Sequence, residues 1–168
     1  MVRRDSPARE SRPGDGATRL AQDPAAHDAR AVDESHTDPI TEIARLPDPQ
    51  ERLAWIADRG RRAPPLRPDE RVPAHRVPGC TSAVWLVDDS DASTCRFRGD
   101  AEAPILRGLT VLICARASGR PPTEVATDTT DVIAALGLER YITPTRLNGL
   151  QQLQRHIRTC AQRHVPRP

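Results

Sequence analysis

Apolar side chains recur at helical spacing in two neighbouring segments of the first half of the chain. Asp38 and Asp48 each stand directly before a proline, and an acidic cap followed by proline is a frequent helix start. The second helix is predicted to end at Gly60, and the proline-rich residues 61–68 predict an extended connector. The apolar positions of the two helices are Ile40, Ile43, Leu46, Leu53, Trp55 and Ile56.

The centre of the chain changes to a pattern that is typical of strands. Residues 83–87 form a continuous apolar run, and residues 94–98 alternate, with Cys95 and Phe97 on one side. The polar residues 88–93 between them predict a turn. Together these segments predict an antiparallel hairpin with one covered face.

Helical spacing returns after Gly99-Asp100 and continues, with interruptions, through the last third of the chain. One helix is predicted to end at Gly119, and the last helix has Thr143 as its cap. The 29 residues from Arg140 onwards hold six arginines and no acidic residue, so this last helix is basic. The order of elements predicts an α+β domain with helices on one face of a small antiparallel sheet.

Residues 1–38 show no apolar periodicity and are rich in polar residues and proline. Such a segment buries too little apolar surface to offset its ordering entropy, so we expect a disordered tail at 1–38 and a folded domain at 39–165. The first residues lack the apolar run of a signal peptide, and no stretch is apolar enough to span a membrane. We therefore expect a cytoplasmic protein whose four cysteines are thiols rather than disulfides.

The composition excludes several kinds of chemistry. All 25 lysine or arginine positions are arginine, so no lysine is available for a Schiff base or a P-loop. The chain has only two Trp, one Tyr and one Phe, too few for rows of stacked bases, and its net charge of +2 is too small to indicate nucleic-acid binding. We expect neither a nucleic-acid nor a membrane partner.

The sharpest local feature is a cysteine between a glycine turn and a buried strand. Gly79 permits unusual backbone angles directly before Cys80, and the strand at 83–87 anchors the far end of the loop. His75 and Arg76 are close in sequence and would favour the thiolate, which is the reactive form. The alternative interpretation is an inert small residue at a turn.

The other cysteines carry weaker signals. Cys114 lies in an apolar helix and is predicted to be in the core, and Cys95 faces the same layer as Phe97. Cys160 lies midway between His156 and His164, but two helical turns span about 12 Å, too far for one metal ion without ligands from elsewhere.

Five groups of segments occur in a recognisable order between about Thr41 and Gln162. They are 53–60, 63–66, 77–85, 99–102 with 105–109, and 136–138 with 143–150. The most specific one is the Gly-Cys-x-Ser-x-Val-Trp signature around Cys80. Together these segments resemble the SufE family, the sulfur acceptors of iron–sulfur cluster assembly.

The resemblance implies a sulfur-transfer function. Cys80 would take a sulfane sulfur from a SufS-type pyridoxal-phosphate cysteine desulfurase, stimulate that enzyme, and deliver the sulfur to a SufBCD-like scaffold. The protein would act as a partner of the desulfurase rather than as an independent enzyme, and would need no cofactor of its own. Arg146 and Glu102 match supporting residues near the site, and His75 matches a loop-supporting position. The implied fold is IscU-like, a three-stranded antiparallel sheet with helices packed on it.

The chain departs from the family pattern at a few positions. Thr81 stands where glutamine is common, His75 where asparagine is common, and Thr145 where serine is usual, and none of these changes removes the thiol. We expect a loaded Cys80 to be sheltered in the free protein and exposed on docking.

Two other classes of function remain open from the sequence. The first is a scaffold that holds a metal ion or an iron–sulfur cluster, with Cys80 and Cys95 among its ligands. The second is an adaptor that binds the desulfurase without carrying sulfur.

Overall fold

The computed structural model describes residues 38–80 and 82–166. The predicted tail at 1–38 therefore lies outside the described residues, except for Asp38. Short 3-10 turns occur at Pro73–His75 and Glu139–Tyr141. The helices and strands, in chain order, are α1 (Pro39–Ala44), α2 (Pro49–Arg62), β1 (Val84–Asp88), β2 (Phe97–Ala101), α3 (Pro104–Ala117), α4 (Pro122–Thr127), α5 (Val132–Ala135) and α6 (Pro144–His164).

The starts of the first two helices are as predicted. The Asp38 carboxylate accepts a hydrogen bond from the backbone N of Ile40 at 3.0 Å, and that of Asp48 accepts one from Gln50 N at 2.8 Å. Each bond satisfies a backbone donor that has no partner within its own helix. Thr143 stands at the predicted cap of α6, but its side chain makes no capping hydrogen bond.

The prediction that the second helix ends at Gly60 is wrong, because α2 continues to Arg62. Gly60 lies against α3, where a Cβ atom at this position would come within 2.6 Å of the backbone N of Gly108. The glycine therefore serves close packing of two helices rather than helix termination.

The predicted hairpin is present, but its second strand lies three residues later than expected. β1 and β2 pair antiparallel from Val84 opposite Ala101 to Asp88 opposite Phe97. Cys95 is excluded from this ladder because its backbone pairs with the segment after α3. Its N–H donates to Arg120 O, and its carbonyl accepts from Gly119 N, both at 2.9 Å.

The expected third strand is not formed, since the sheet of the described residues has two strands. On the free side of β1 there is one isolated bridge between Arg76 and Trp85, with Val77 N donating to Val84 O at 2.9 Å. Pairing stops there because Pro78 lacks an N–H and Gly79 adopts φ +75°. This short pairing ties the base of the Cys80 loop to the sheet.

The helices form the other layer of the α+β domain, with α3 at the centre of the core. Gly99 of β2 lies so close to α3 that a Cβ there would be 2.5 Å from Thr110 Cγ2. No helix within the described ranges is long and apolar enough to cross a membrane. The largest fully buried apolar side chains are Ile43, Ile56, Val77, Val84, Leu109, Leu112, Ile133, Leu136, Leu138, Leu150 and Leu153.

Candidate functional site

Cys80 lies at the edge of the sheet, held between its own loop and α6. Its side chain is only 8% exposed, and its Sγ–H donates a hydrogen bond to the backbone carbonyl of Gly149, with an S···O distance of 3.2 Å. We call this hydrogen bond the thiol contact. It joins a loop residue to a helix residue far away along the chain.

Two glycines make room for the thiol contact. Gly79 adopts φ +75°, which turns the chain toward α6 directly before Cys80. Its Cα faces Gln152, whose side-chain carbon Cδ would lie 3.4 Å from a Cβ at residue 79. A Cβ at Gly149 would lie 3.4 Å from Cys80 Sγ, in ordinary van der Waals contact. Gly149 and Gln152 are three residues apart on a helix and so form one surface under the loop.

The surroundings of Cys80 favour the neutral thiol. Burial raises the pKa of the Cys80 thiol above its ordinary value, while the exposed Arg76 guanidinium opposes this effect. Because the net shift is upward, the thiol keeps its proton in this position at neutral pH. A shielded neutral thiol is a poor nucleophile, so reaction requires Cys80 to leave the contact.

His75 belongs to the turn that precedes the Cys80 loop. Its Nδ1 lies 2.8 Å from the carbonyl oxygen of Glu70, and because a carbonyl only accepts, Nδ1 carries the hydrogen. The Glu70 carboxylate accepts from Arg98 Nη2 at 2.7 Å and from Arg67 N at 2.9 Å. These hydrogen bonds lower the pKa of Glu70 to about 2. His75 is thus bonded to the backbone of Glu70, whose carboxylate pairs with Arg98 of β2.

Arg146 and Glu102 are both exposed. Arg146 lies in the first turn of α6, three residues before Gly149, and Glu102 directly follows β2. In the part of the chain that the structure describes, no hydrogen bond joins either side chain, or that of His75, to Cys80. The structure brings Cys80 together with Gly149 and places the other predicted site residues outside this contact.

A buried carboxylate that the sequence interpretation missed lies in β2. Asp100 is fully buried, and its Oδ2 accepts from Arg71 Nε at 2.9 Å and from Leu66 N at 3.0 Å. Arg107 Nε lies 3.1 Å from Oδ1 but is misaligned for a hydrogen bond. Arg71 also stacks on Trp85 in β1, 5.7 Å from the ring centre. Asp100 therefore fixes the strand pair that anchors the Cys80 loop.

The remaining cysteines, Cys95, Cys114 and Cys160, are buried in the core. Cys114 is in the core as predicted, and burial raises the pKa of its thiol to about 12. Burial raises the pKa of Cys160 to about 11. His164 Nε2 pairs with Asp88 Oδ2 at 3.1 Å. Among the described residues, no group of three His, Cys, Asp or Glu side chains is arranged to hold a metal ion.

Fold and site together define a class of protein. It is a small two-layer α+β domain that keeps one thiol on a loop, between two glycines, while the thiols of Cys95, Cys114 and Cys160 are buried in the core.

Comparison with known proteins identifies the family. Residues 37–161 match the sequence model described as "SufE: Fe-S metabolism associated domain", and the chain belongs to the SufE family. The resemblance inferred from the Cys80 signature is thereby confirmed. The matched domain is one associated with iron–sulfur metabolism.

Similar proteins come from several bacteria. An uncharacterized SufE-like protein of Rhizobium etli is 33% identical over 124 residues, which cover 71% of this chain and 84% of that protein. One from Synechocystis is 30% identical over 122 residues, covering 73% and 77%. The solution structure of a hypothetical protein from Thermus thermophilus superposes with a TM-score of 0.61 at 21% identity, covering 74% of this chain and 91% of the other. This likeness shows a shared fold.

Proposed function

We propose that the protein is a sulfur carrier whose acceptor is Cys80. It takes the sulfane sulfur from a SufS-type pyridoxal-phosphate cysteine desulfurase, stimulates that enzyme, and delivers the sulfur to a SufBCD-like scaffold. One observation carries the proposal. Cys80 lies on a loop at the sheet edge, whereas Cys114 and Cys160 lie within long helices. Cys95 also lies outside the helices and strands, but it is 0% exposed and its backbone is bonded to Gly119 and Arg120.

The proposed reaction is a thiol exchange on sulfur. The Cys80 thiolate attacks the outer sulfur of the donor persulfide, so a new S–S bond forms on Cys80 and the donor S–S bond breaks. The donor cysteine leaves as a thiolate and takes up the proton that Cys80 released. No oxidant or reductant is consumed, and delivery to the next acceptor repeats the same exchange.

Other residues support this reaction from outside the thiol contact. Arg76 is exposed beside Cys80 and favours its thiolate once the sulfur leaves the contact. Arg146 and Glu102 are exposed and available to a docked partner, and His75 holds the turn before the loop through Glu70. The proposal requires a reduced Cys80, as in the cytoplasm.

The test is mass spectrometry after incubation with a SufS-type desulfurase and cysteine. We expect the peptide that contains Cys80 to gain one sulfur atom, and desulfurase turnover to rise. Cys80→Ser should show neither effect, while Cys160→Ala serves as the matched control and should show both. Stimulation without a sulfur gain on Cys80 would overturn the carrier function and indicate an adaptor. Bound iron or zinc after anaerobic purification, lost in Cys80→Ser, would instead indicate a scaffold.

A further inference from the structure

The closed position of Cys80 depends on the hydrogen atom on its sulfur. The partner of Sγ is the carbonyl oxygen of Gly149, which has no hydrogen to give, so the sulfur must be the donor. The thiol contact therefore exists only while Cys80 carries a proton and no other substituent. A thiolate in the same position would be repelled by the partial negative charge on the carbonyl oxygen of Gly149.

Sulfur loading removes that hydrogen and replaces it with a larger atom. An S–S bond is about 2.05 Å long. A second sulfur along the 3.2 Å line from Sγ to Gly149 O would overlap the carbonyl oxygen. The inner sulfur of a persulfide carries no hydrogen and cannot donate in any orientation. The outer sulfur is a stronger acid than the parent thiol, and burying its anion without a partner is costly.

We propose that loading Cys80 with sulfur releases it from Gly149, so that the thiol contact forms in the empty carrier and is absent from the loaded one. This inference rests on the proposed function, and it differs from the sequence expectation that the loaded cysteine is sheltered. The empty carrier hides its thiol, and the loaded carrier presents its sulfur to the next acceptor.

Three features of the site fit such a release. The loop base stays tied to β1 by the Val77 N to Val84 O bond at 2.9 Å, so the domain need not unfold. The floor of the contact is Gly149, which has no side chain to interlock with Cys80. Arg76 is exposed beside Cys80 and offers a positive charge to a persulfide anion that has moved into solvent.

The experiment measures backbone hydrogen exchange in the full chain before and after chemical loading. Inorganic polysulfide loads the thiol without a desulfurase, and mass spectrometry of the Cys80 peptide verifies the added sulfur. We expect the amides of Gly79, Cys80, Ser82 and Ala83, and those of the first turns of α6, to exchange about five- to tenfold faster after loading. Equal exchange in loaded and empty protein would overturn the inference while leaving the carrier function intact.

Two variants test the contact without any loading. Cys80→Ser keeps a hydroxyl donor for Gly149 O and should exchange like the empty wild type, with or without polysulfide. Cys80→Ala has no donor and should exchange like the loaded wild type. If Ser and Ala variants exchange equally, the hydrogen bond does not hold the loop and the inference fails. If a desulfurase fails to load Cys80, the proposed function is wrong. The exchange measurements with polysulfide and with the Ser and Ala variants would still test the inference.

Discussion

Cys80 and Cys114 are 8% and 3% exposed, so burial alone does not distinguish the two thiols. Each sulfur also lies over a glycine. A Cβ at Gly149 would be 3.4 Å from Cys80 Sγ, and a Cβ at Gly99 would be 2.8 Å from Cys114 Sγ. The difference is in the elements that carry them. Cys114 is fixed in α3 at the centre of the core, whereas Cys80 is joined to α6 by one hydrogen bond.

The comparison shows why fractional exposure is a poor guide to thiol reactivity. To expose Cys114, α3 must separate from β2, which costs much of the packing of the core. To expose Cys80, the loop must give up one weak hydrogen bond and a small apolar contact. The two sulfurs are therefore similar in exposed fraction but differ greatly in the free energy needed to expose them. Because this free energy is small for Cys80 and large for Cys114, Cys80 can react while Cys114 stays protected.

The largest expected effect separates the two cysteines by function and stability. Cys80→Ser should lower sulfur loading by at least about a thousandfold, because the nucleophile is gone, with little change in stability. Cys114→Ala should keep sulfur loading and lower the free energy of unfolding by about 1–2 kcal/mol, because it leaves a cavity. Persulfide mass analysis and urea denaturation measure the two quantities. Normal loading in Cys80→Ser would show that another thiol is the acceptor.

A second effect concerns Asp100, the buried carboxylate of β2 that anchors the strand pair. Asp100→Asn should lower the free energy of unfolding by about 3 kcal/mol, since it leaves the partly buried Arg107 without its counter-charge and weakens the bond to Arg71. Chemical denaturation checks this. Asp69→Asn is the matched control, because Asp69 pairs with Arg67 at the surface, and it should change stability by less than about 0.5 kcal/mol. Equal effects would show that Asp100 does not fix the strand pair.

The third effect is a dependence of stability on alkaline pH. The pKa of Cys114 is raised from 9.0 to about 12 in the folded protein. Above pH 9 the unfolded chain releases this proton and the native state keeps it, so stability is full below pH 9 and falls as pH rises toward 12. One such thiol contributes a slope of up to about 1.4 kcal/mol per pH unit.

The change in unfolding free energy per pH unit is compared between variants from about pH 9.5 to 10.5. Arginine and tyrosine titrations are common to all variants, so a difference in slope reports the substituted cysteine. Cys114→Ala should have a shallower slope than the wild type by roughly 1 kcal/mol per pH unit. Cys80→Ala should have a smaller influence, because the Cys80 loop opens without unfolding of the domain and its thiol then meets solvent. A slope in Cys114→Ala equal to that of the wild type would contradict the assignment of a buried neutral thiol.

Local signals predicted the helix starts, because Asp38 and Asp48 act through atoms two residues away. The local signals gave wrong predictions where contacts with a distant segment determine the structure. Gly60 has the local chemistry of a helix end, but Gly108 on another helix determines its role. Similarly, Cys95 alternates like a strand residue, yet its backbone is paired to Gly119 and Arg120.

In the candidate site, too, the residue marked by its sequence neighbours was predicted and the residues brought in by folding were not. Cys80 was found because glycine, cysteine and an apolar strand are adjacent in the sequence. Gly149 lies in the family-like segment 143–150, but neither it nor Gln152 was predicted to lie under Cys80, because that proximity depends on how α6 packs against the loop. One signal was available. A glycine inside an otherwise helical stripe costs about 1 kcal/mol relative to alanine, and such a position often marks a close approach.

The smallest expected effect compares the stability of alanine variants at Gly149, which lies under Cys80, and at Gly99, which lies under Cys114. Gly149→Ala places a methyl group 3.4 Å from Cys80 Sγ, within ordinary contact distance, and alanine favours the helix. We expect the free energy of unfolding to rise by about 0.5 kcal/mol, with the thiol contact kept. Gly99→Ala would place its methyl 2.5 Å from Thr110 Cγ2 and 2.8 Å from Cys114 Sγ, and should lower stability by about 1–3 kcal/mol.

Urea denaturation of both variants gives the comparison, and sulfur loading gives a second readout. Loading of Gly149→Ala should remain within about twofold of the wild type, because the loop still loses only one hydrogen bond on opening. A destabilised Gly149→Ala would mean that Cys80 is packed against α6 as tightly as Cys114 is packed against β2. The two thiols would then differ in location and not in the free energy needed to expose them.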